Sequence, residues 1–175
     1  IQGSGALLFS ERMNPQSVMF GGTGSESHDL GMPAFLPDRL ESGTLSYPAI
    51  CSLFEGALII KARREEIAGK LLAATTAFAR ALEGSPAYRV YSGPNACGIA
   101  AFSHAHLPSE QLAQLLSDRF RIAVRGGLHC APLAHRALGT FPDGLVRASF
   151  SAAHGAQECE ALLRALTQLA GVTSV

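Results

Sequence analysis

Tryptophan is absent from this sequence, and lysine, cysteine and tyrosine are scarce. Charged residues make up only 16% of the chain, and the 14 Lys and Arg residues balance the 14 Asp and Glu residues. A protein without net charge has no long-range field that would attract nucleic acid or an anionic membrane. We therefore expect neither nucleic acid nor a membrane as a partner.

Long apolar runs are also absent. No run approaches the roughly 20 residues that a bilayer-crossing helix needs, and no signal-peptide pattern opens the chain, so we expect a cytoplasmic protein. Hydrophobic residues still make up 47% of the 175 residues, which is enough for a buried core. The first residue is Ile1 rather than Met. Because natural N-termini usually lie in exposed segments, we expect the chain to be part of a longer protein.

The cysteines are few and widely separated. Cys51, Cys97, Cys130 and Cys159 form no CxxC pair. The sequence therefore predicts neither a zinc ribbon nor a dense disulfide framework. We expect these thiols to be reduced.

Hydrophobic periodicity predicts the secondary structure along the chain. In the first 60 residues we predict a buried strand at residues 6–9, an irregular glycine-rich segment, and a helix that begins near Pro48. A second helix is predicted at residues 64–83, after a charged joint. Beyond Pro86 the predicted order is strand, strand, helix, strand, strand, helix, at residues 88–92, 98–103, 109–120, 122–125, 145–150 and 156–169. This order is typical of a compact α+β unit.

One segment after a predicted strand concentrates reactive groups. Cys130 lies next to His129 and close to Arg125 and His135 in a glycine-bearing stretch. A thiol beside cationic groups ionises readily, and the thiolate is the nucleophilic form. Local composition alone favours a plainer interpretation, in which Cys130 is a small core residue and the histidines cap or face solvent. A metal site built from both histidines and the thiol has no convincing fourth ligand, so we predict no metal site.

Two further features are compatible with an anionic ligand. Arg147 lies within an apolar strand, where a permanent charge is costly unless it meets a carboxylate. Either an acidic residue of the protein or the carboxylate of an amino-acid substrate would satisfy it. Residues 41–44 precede a predicted helix entrance, where a hydroxyl and backbone amides bind phosphate or simply cap the helix.

Five segments taken together resemble class V aminotransferase-like pyridoxal-phosphate enzymes, and the group II cysteine desulfurases in particular. The segments are residues 3–9 (GSGALLF), 21–25 (GGTGS), 36–44 (LPDRLESGT), 125–131 (RGGLHCA) and 146–149 (VRAS). Their order and approximate spacing are those of the family from residue 1 to about residue 169. The Arg-x-Gly-x-His-Cys-Ala stretch is the most specific part of the resemblance.

The resemblance implies the α/β fold of pyridoxal-phosphate-dependent aminotransferases, fold type I. Residues 1–60 would be the C-terminal remnant of the cofactor-binding large domain, and residues 61–175 would be the small C-terminal α+β domain. The implied cofactor is pyridoxal 5′-phosphate, whose Schiff-base lysine precedes the Gly-x-Gly strand in this family. Lys61 and Lys70 are the only lysines and do not fit that position. The Schiff-base lysine is therefore expected outside this chain.

The resemblance also implies roles around the substrate. Cys130 would be the catalytic thiol that takes sulfur from L-cysteine as a persulfide and leaves L-alanine. Arg147 would bind the substrate α-carboxylate, and His129 or Arg125 would support the thiol. A sulfur-acceptor protein would be a further partner.

Cofactor contacts would come from the earlier part of the chain. Thr44 would reach the cofactor phosphate of the neighbouring subunit in a homodimer. Gly43 would let the backbone approach it closely.

Some positions depart from the family pattern. Gly43-Thr44-Leu45-Ser46 stands where many relatives have Gly-Thr-Pro-Asn, and Ala153-His154-Gly155 replaces a common Asn-Thr pair. A class V aminotransferase and a selenocysteine lyase therefore remain alternatives for the enzyme. A noncatalytic fragment that relays persulfide or binds a partner is a further alternative. We expect the 175-residue chain alone to be inactive.

Overall fold

A computed structural model describes residues 2–153 and 156–173. The chain divides into two compact units, Ile1–Ala62 and Arg63–Val175. Helix α1, Tyr47–Ala81, crosses this boundary and is interrupted at Arg63, whose φ of −120° and ψ of 16° are not helical. The interruption agrees with the two helices predicted from the sequence. The assignment of residues 1–60 and 61–175 to the large and small domains of an enzyme stays a prediction.

The first unit contains one helical segment and a long irregular stretch. The strand predicted at residues 6–9 is wrong: these residues are irregular, and Leu8 is 89% exposed. A strand needs a neighbour to satisfy its backbone groups, and none of the described residues of this unit forms one. The predicted irregular segment is confirmed, apart from a short 3-10 turn at Asp38–Leu40. A bond of 2.8 Å from the Gly43 amide to the Gly22 carbonyl joins the glycine-rich stretch to the helix entrance.

The second unit is an antiparallel sheet packed against helices. Strands β1 (Tyr88–Val90), β2 (Ile99–His104) and β3 (Val146–Ser149) pair in that order. The helices of this unit are the second part of α1, then α2 (Ser109–Phe120), α3 (Pro132–Leu138) and α4 (Ala156–Leu169). The predicted bounds of α2 and α4 are confirmed, and β1, β2 and β3 fall within a residue or two of the predicted strands.

The core of the second unit lies between the sheet and the helices. Its largest fully buried side chains come from α1, β2, α2, β3 and α4, and they are Phe78, Phe102, Leu112, Leu116, Val146, Leu166 and Leu169. The Phe78 and Phe102 rings lie 5.3 Å apart between centroids. Tyr88 of β1 also belongs to this cluster, so every element of the unit except α3 contributes to the core.

Two predictions for the second unit need correction. The strand predicted at residues 122–125 is reduced to a single bridge between Arg125 and Arg147, because the chain turns away at Gly126 immediately afterwards. Helix α3 was missed, although Pro132 at its first position and the left-handed Gly139 at its end are ordinary start and stop features. The predicted departure at His154 and Gly155 lies outside the described residues.

No helix in the described part of the chain combines the length and apolarity that a membrane span requires.

Candidate active site

Cys130 lies on a tight turn between the Arg125 bridge and α3. We refer to residues 126–131 as the thiol turn. His129 and Cys130 both adopt left-handed backbone conformations, with φ of 53° and 59°. Such conformations cost about 1 kcal/mol or more for each residue that is not glycine. The turn leaves Cys130 exposed, so the strain falls at a residue whose thiol meets solvent.

Arg125 connects the thiol to the backbone of the turn. Its Nη2 donates to Cys130 Sγ at 3.5 Å, and its carbonyl oxygen lies 3.1 Å from His129 Nε2. Burial lowers the pKa of His129, and the positive charges of Arg147 and Arg125 lower it further. His129 is therefore a neutral imidazole near pH 7. The thiol has a guanidinium as its neighbour, and this group attracts the negative charge that an attacking sulfur carries.

Arg147 projects from the same face of the sheet as Arg125. The two residues exchange backbone hydrogen bonds of 3.1 and 2.7 Å, and side chains directly opposite in such a pair lie on one face. On its other side Arg147 pairs with Ala101, whose small side chain occupies little of that face. Arg147 Nε is buried and has no hydrogen-bond partner. Neither arginine forms an ion pair within the described residues, so two positive charges share a face without a protein carboxylate.

The thiol turn is seated on the start of α2 by close backbone contact. A Cβ added at Gly126 would lie 2.6 Å from the Ser109 carbonyl oxygen and 2.7 Å from Glu110 Cα. The Gly127 amide donates to Ser109 Oγ at 3.0 Å, and the buried Ser109 hydroxyl donates to the Asp143 carbonyl. Ser109 was not predicted from the sequence as part of the site. Its only signal was its position at the start of a predicted helix.

Gly43 and Thr44 belong to the other unit. Gly43 has a φ of +85°, which favours glycine, and its amide already bonds to the Gly22 carbonyl. The Gly43 amide is therefore not a free donor, and Gly43 contributes through the conformation of its backbone. Thr44 is exposed three residues before α1 begins at Tyr47. The structure thus brings Cys130, Arg125, His129 and Arg147 together in one unit, and it positions the Gly43–Thr44 pair at a helix entrance in the other.

The remaining cysteines are free thiols in different surroundings. Cys97 is exposed, Cys51 is half-buried and Cys159 is buried, and burial raises the pKa of Cys159. Within residues 2–153 and 156–173, no three side chains of His, Cys, Asp or Glu are grouped closely enough to hold a metal ion. Because Cys97 is a free, exposed thiol like Cys130, it is a matched control for experiments on Cys130.

Sequence and structure comparisons identify relatives of the chain. The Aminotransferase class-V family matches residues 2–162. The cysteine desulfurase CsdA of Escherichia coli is 24% identical with a TM-score of 0.67, over 75% of this chain and 32% of that one. A cysteine desulfurase of Thermococcus onnurineus NA1 is 30% identical with a TM-score of 0.63, over 77% of this chain and 34% of that one. No curated protein sequence matches significantly.

A third solved structure is C-DES, described with glycine covalently linked to its pyridoxal-phosphate cofactor. It is 21% identical with a TM-score of 0.55, over 77% of this chain and 31% of that one. This chain thus spans about a third of the length of these structures.

The residues present fit part of a site for pyridoxal 5′-phosphate, which is the cofactor of this family. Thr44 offers an exposed hydroxyl at a helix entrance, where anions such as a phosphate group bind. Both lysines lie on α1, and Lys70 is paired with Glu66 at 2.7 Å. The chain belongs to the class V aminotransferase family and has part of the architecture of a fold type I enzyme.

Proposed function

We propose that this chain is the C-terminal part of a cysteine desulfurase, which takes sulfur from L-cysteine and leaves L-alanine. The observation that carries the proposal is the pairing of an exposed thiol with a guanidinium, Cys130 Sγ with Arg125 Nη2 at 3.5 Å, on a strained turn. Beside it, Arg147 presents a buried Nε without a partner. The Cys130 thiol is suited to attack sulfur, and the Arg147 guanidinium is suited to hold a carboxylate.

Arg147 orients the substrate. A guanidinium binds a carboxylate through two parallel hydrogen bonds, which fixes direction as well as position. Arg147 thereby holds the α-carboxylate of L-cysteine, and this anion offsets the repulsion between Arg147 and Arg125 on the same face. The substrate side chain is then left free to turn its sulfur toward the thiol.

Cys130 performs the sulfur transfer as a thiolate. Its Sγ attacks the sulfur of L-cysteine, a sulfur–sulfur bond forms, and the bond between that sulfur and the substrate β-carbon breaks. The electron pair stays with the carbon, which takes up a proton and becomes the methyl group of alanine. Cys130 is left as a persulfide. Pyridoxal phosphate, when bound, serves as the sink for electrons at the substrate carbon.

Residues other than those that act on sulfur would bind the cofactor, and a further protein would accept the sulfur. We place Thr44 at the cofactor phosphate of the neighbouring subunit in a homodimer, with Gly43 shaping the approach. The lysine that binds the cofactor covalently comes from a preceding part of the complete protein. A sulfur-acceptor protein removes the terminal sulfur of the Cys130 persulfide.

The test compares two exposed cysteines in the complete protein. Cys130→Ala is expected to abolish alanine formation from L-cysteine, because it removes the nucleophile, and to leave the cofactor's absorbance unchanged. Cys97→Ala, the matched control, is expected to keep the wild-type rate. Alanine formation at the wild-type rate by Cys130→Ala would refute the assigned role.

The products that the complete protein forms separate the alternatives. A class V aminotransferase would convert its amino acid to a keto acid whether or not Cys130 is present. A selenocysteine lyase would release selenide from selenocysteine and leave L-cysteine unused. A persulfide relay would label Cys130 only when a persulfide donor is added, and it would do so without pyridoxal phosphate.

A further inference from the structure

A buried imidazole and a hydroxyl lie behind the thiol turn. His135, on α3, is only 4% exposed. Its Nδ1 lies 2.8 Å from Thr140 Oγ1, and the Thr140 amide donates to the His135 carbonyl at 2.9 Å. The sulfur transfer described above uses neither side chain. Thr140 is half-buried, and this contact gives the Nδ1 atom of the buried His135 a polar partner.

The imidazole of this pair packs against the thiol turn. The His135 and His129 rings lie 5.8 Å apart between centroids and are tilted by 55°. His129 in turn makes its 3.1 Å contact with the Arg125 carbonyl oxygen, and Arg125 donates to Cys130. Thr140 therefore fixes the orientation of the His135 ring, and the His135 ring supports the His129 ring. His129 in turn bonds to Arg125, the residue that contacts the thiol.

A backbone route leads from Thr140 to the same turn. The Gly144 amide donates to the Thr140 carbonyl at 2.7 Å, and the next amide, that of Leu145, donates to the Gly127 carbonyl at 3.1 Å. Gly144 approaches Gly127 so closely that an added Cβ would lie 2.2 Å from the Gly127 oxygen. The Gly127 end of the thiol turn is thus tied to the segment that begins at Thr140.

We propose that His135 and Thr140 are positioning residues for the nucleophile. Their hydrogen bond holds the His129 ring and the Thr140–Gly144 segment in place, and these together hold Cys130 beside Arg125. This inference rests on the proposed function only in assigning importance to the Cys130 thiol. Neither residue contacts the sulfur, so neither is a catalytic residue.

The experiment measures how fast iodoacetamide alkylates Cys130 in the complete protein, without L-cysteine. Alkylation of Cys97, followed by mass spectrometry in the same sample, serves as the internal reference. Thr140→Val removes the hydroxyl at nearly constant size, and we expect the ratio of the Cys130 rate to the Cys97 rate to fall by roughly two- to tenfold, the factor that one hydrogen bond supports. Thr140→Ser keeps the hydroxyl and is expected to keep the ratio.

Two variants of His135 test the same contact by changing its other partner. Asparagine places a polar atom near the position of Nδ1, so His135→Asn is expected to keep most of the wild-type ratio, whereas His135→Leu is expected to lower it. A ratio unchanged in both Thr140→Val and His135→Leu would overturn the proposal, as would an equal fall in Thr140→Val and Thr140→Ser. If Thr140→Val does not fold, the two His135 variants decide. Because no substrate is present, this outcome is independent of whether the protein proves to be a desulfurase.

Discussion

At the scale of single residues, Arg125 and Arg147 place two positive charges on one face of the sheet. Arg147 was predicted as a candidate because a permanent charge in an apolar strand needs an oppositely charged partner. An acidic residue of the protein was left open as that partner. The described residues supply no such partner. The contact between Arg125 and the thiol could be expected only in general terms, since it depends on how the chain turns at Gly126.

Replacement of Arg147 by lysine tests the carboxylate contact. Lysine keeps the charge but not the paired donors, so we expect KM for L-cysteine to rise roughly 10- to 100-fold, the range for hydrogen bonds to charged groups, with a smaller change in kcat. Steady-state kinetics of the complete enzyme measure both. Arg89→Lys is the control, since Arg89 is exposed over the Tyr91 ring at 4.9 Å. An unchanged KM in Arg147→Lys would remove Arg147 from the substrate site.

At the scale of secondary structure, prediction succeeded where the hydrophobic pattern decides the element. Helices α2 and α4 each bury one apolar stripe, and their bounds were predicted from that stripe. The strand at residues 6–9 was wrong because an apolar run shows what a segment could bury but not which strand would pair with it. Helix α3 was missed because its seven residues carry too little periodicity.

The contact between the thiol turn and α2 gives a prediction for Gly126. Any Cβ there would collide with the Ser109 carbonyl and Glu110 Cα, and backbone cannot move aside cheaply. We expect Gly126→Ala to lower the free energy of unfolding by about 1–3 kcal/mol. Gly93→Ala is the control, because a Cβ at Gly93 meets nothing within 4 Å. Urea denaturation measures the difference, and equal stability of the two variants would contradict the packing described here.

At the scale of the whole molecule, the two units differ in how they bury apolar residues. The second unit has a continuous core, whereas many large apolar side chains of the first are exposed, among them Leu8, Val18 and Leu30. The chain spans about a third of its structural relatives. The resemblance identified the family from five short segments, but composition alone could not have indicated how much of its relatives' length the chain spans.

The structure predicts that the stability of the whole protein decreases in acid. Burial lowers the pKa of His104, whose Nδ1 accepts the amides of His106 and Leu107 while Nε2 lies 3.2 Å from the Leu169 carbonyl oxygen. The unfolded chain therefore binds protons more readily, and the free energy of unfolding is expected to fall as pH drops below about 6.5. His104→Asn keeps a polar acceptor but does not titrate, so its urea midpoint should depend less on pH. An equally steep dependence in this variant would rule out His104 as a source.

The proposed function depends on the transfer of sulfur from the substrate to Cys130. The most direct measurement is mass spectrometry of the complete, cofactor-loaded enzyme after brief exposure to L-cysteine and blocking of free thiols. We predict that the peptide containing Cys130 gains the mass of one sulfur atom, while the peptide containing Cys97 does not. Turnover of L-cysteine to alanine with no added sulfur on Cys130 at any time would show that Cys130 does not receive the sulfur.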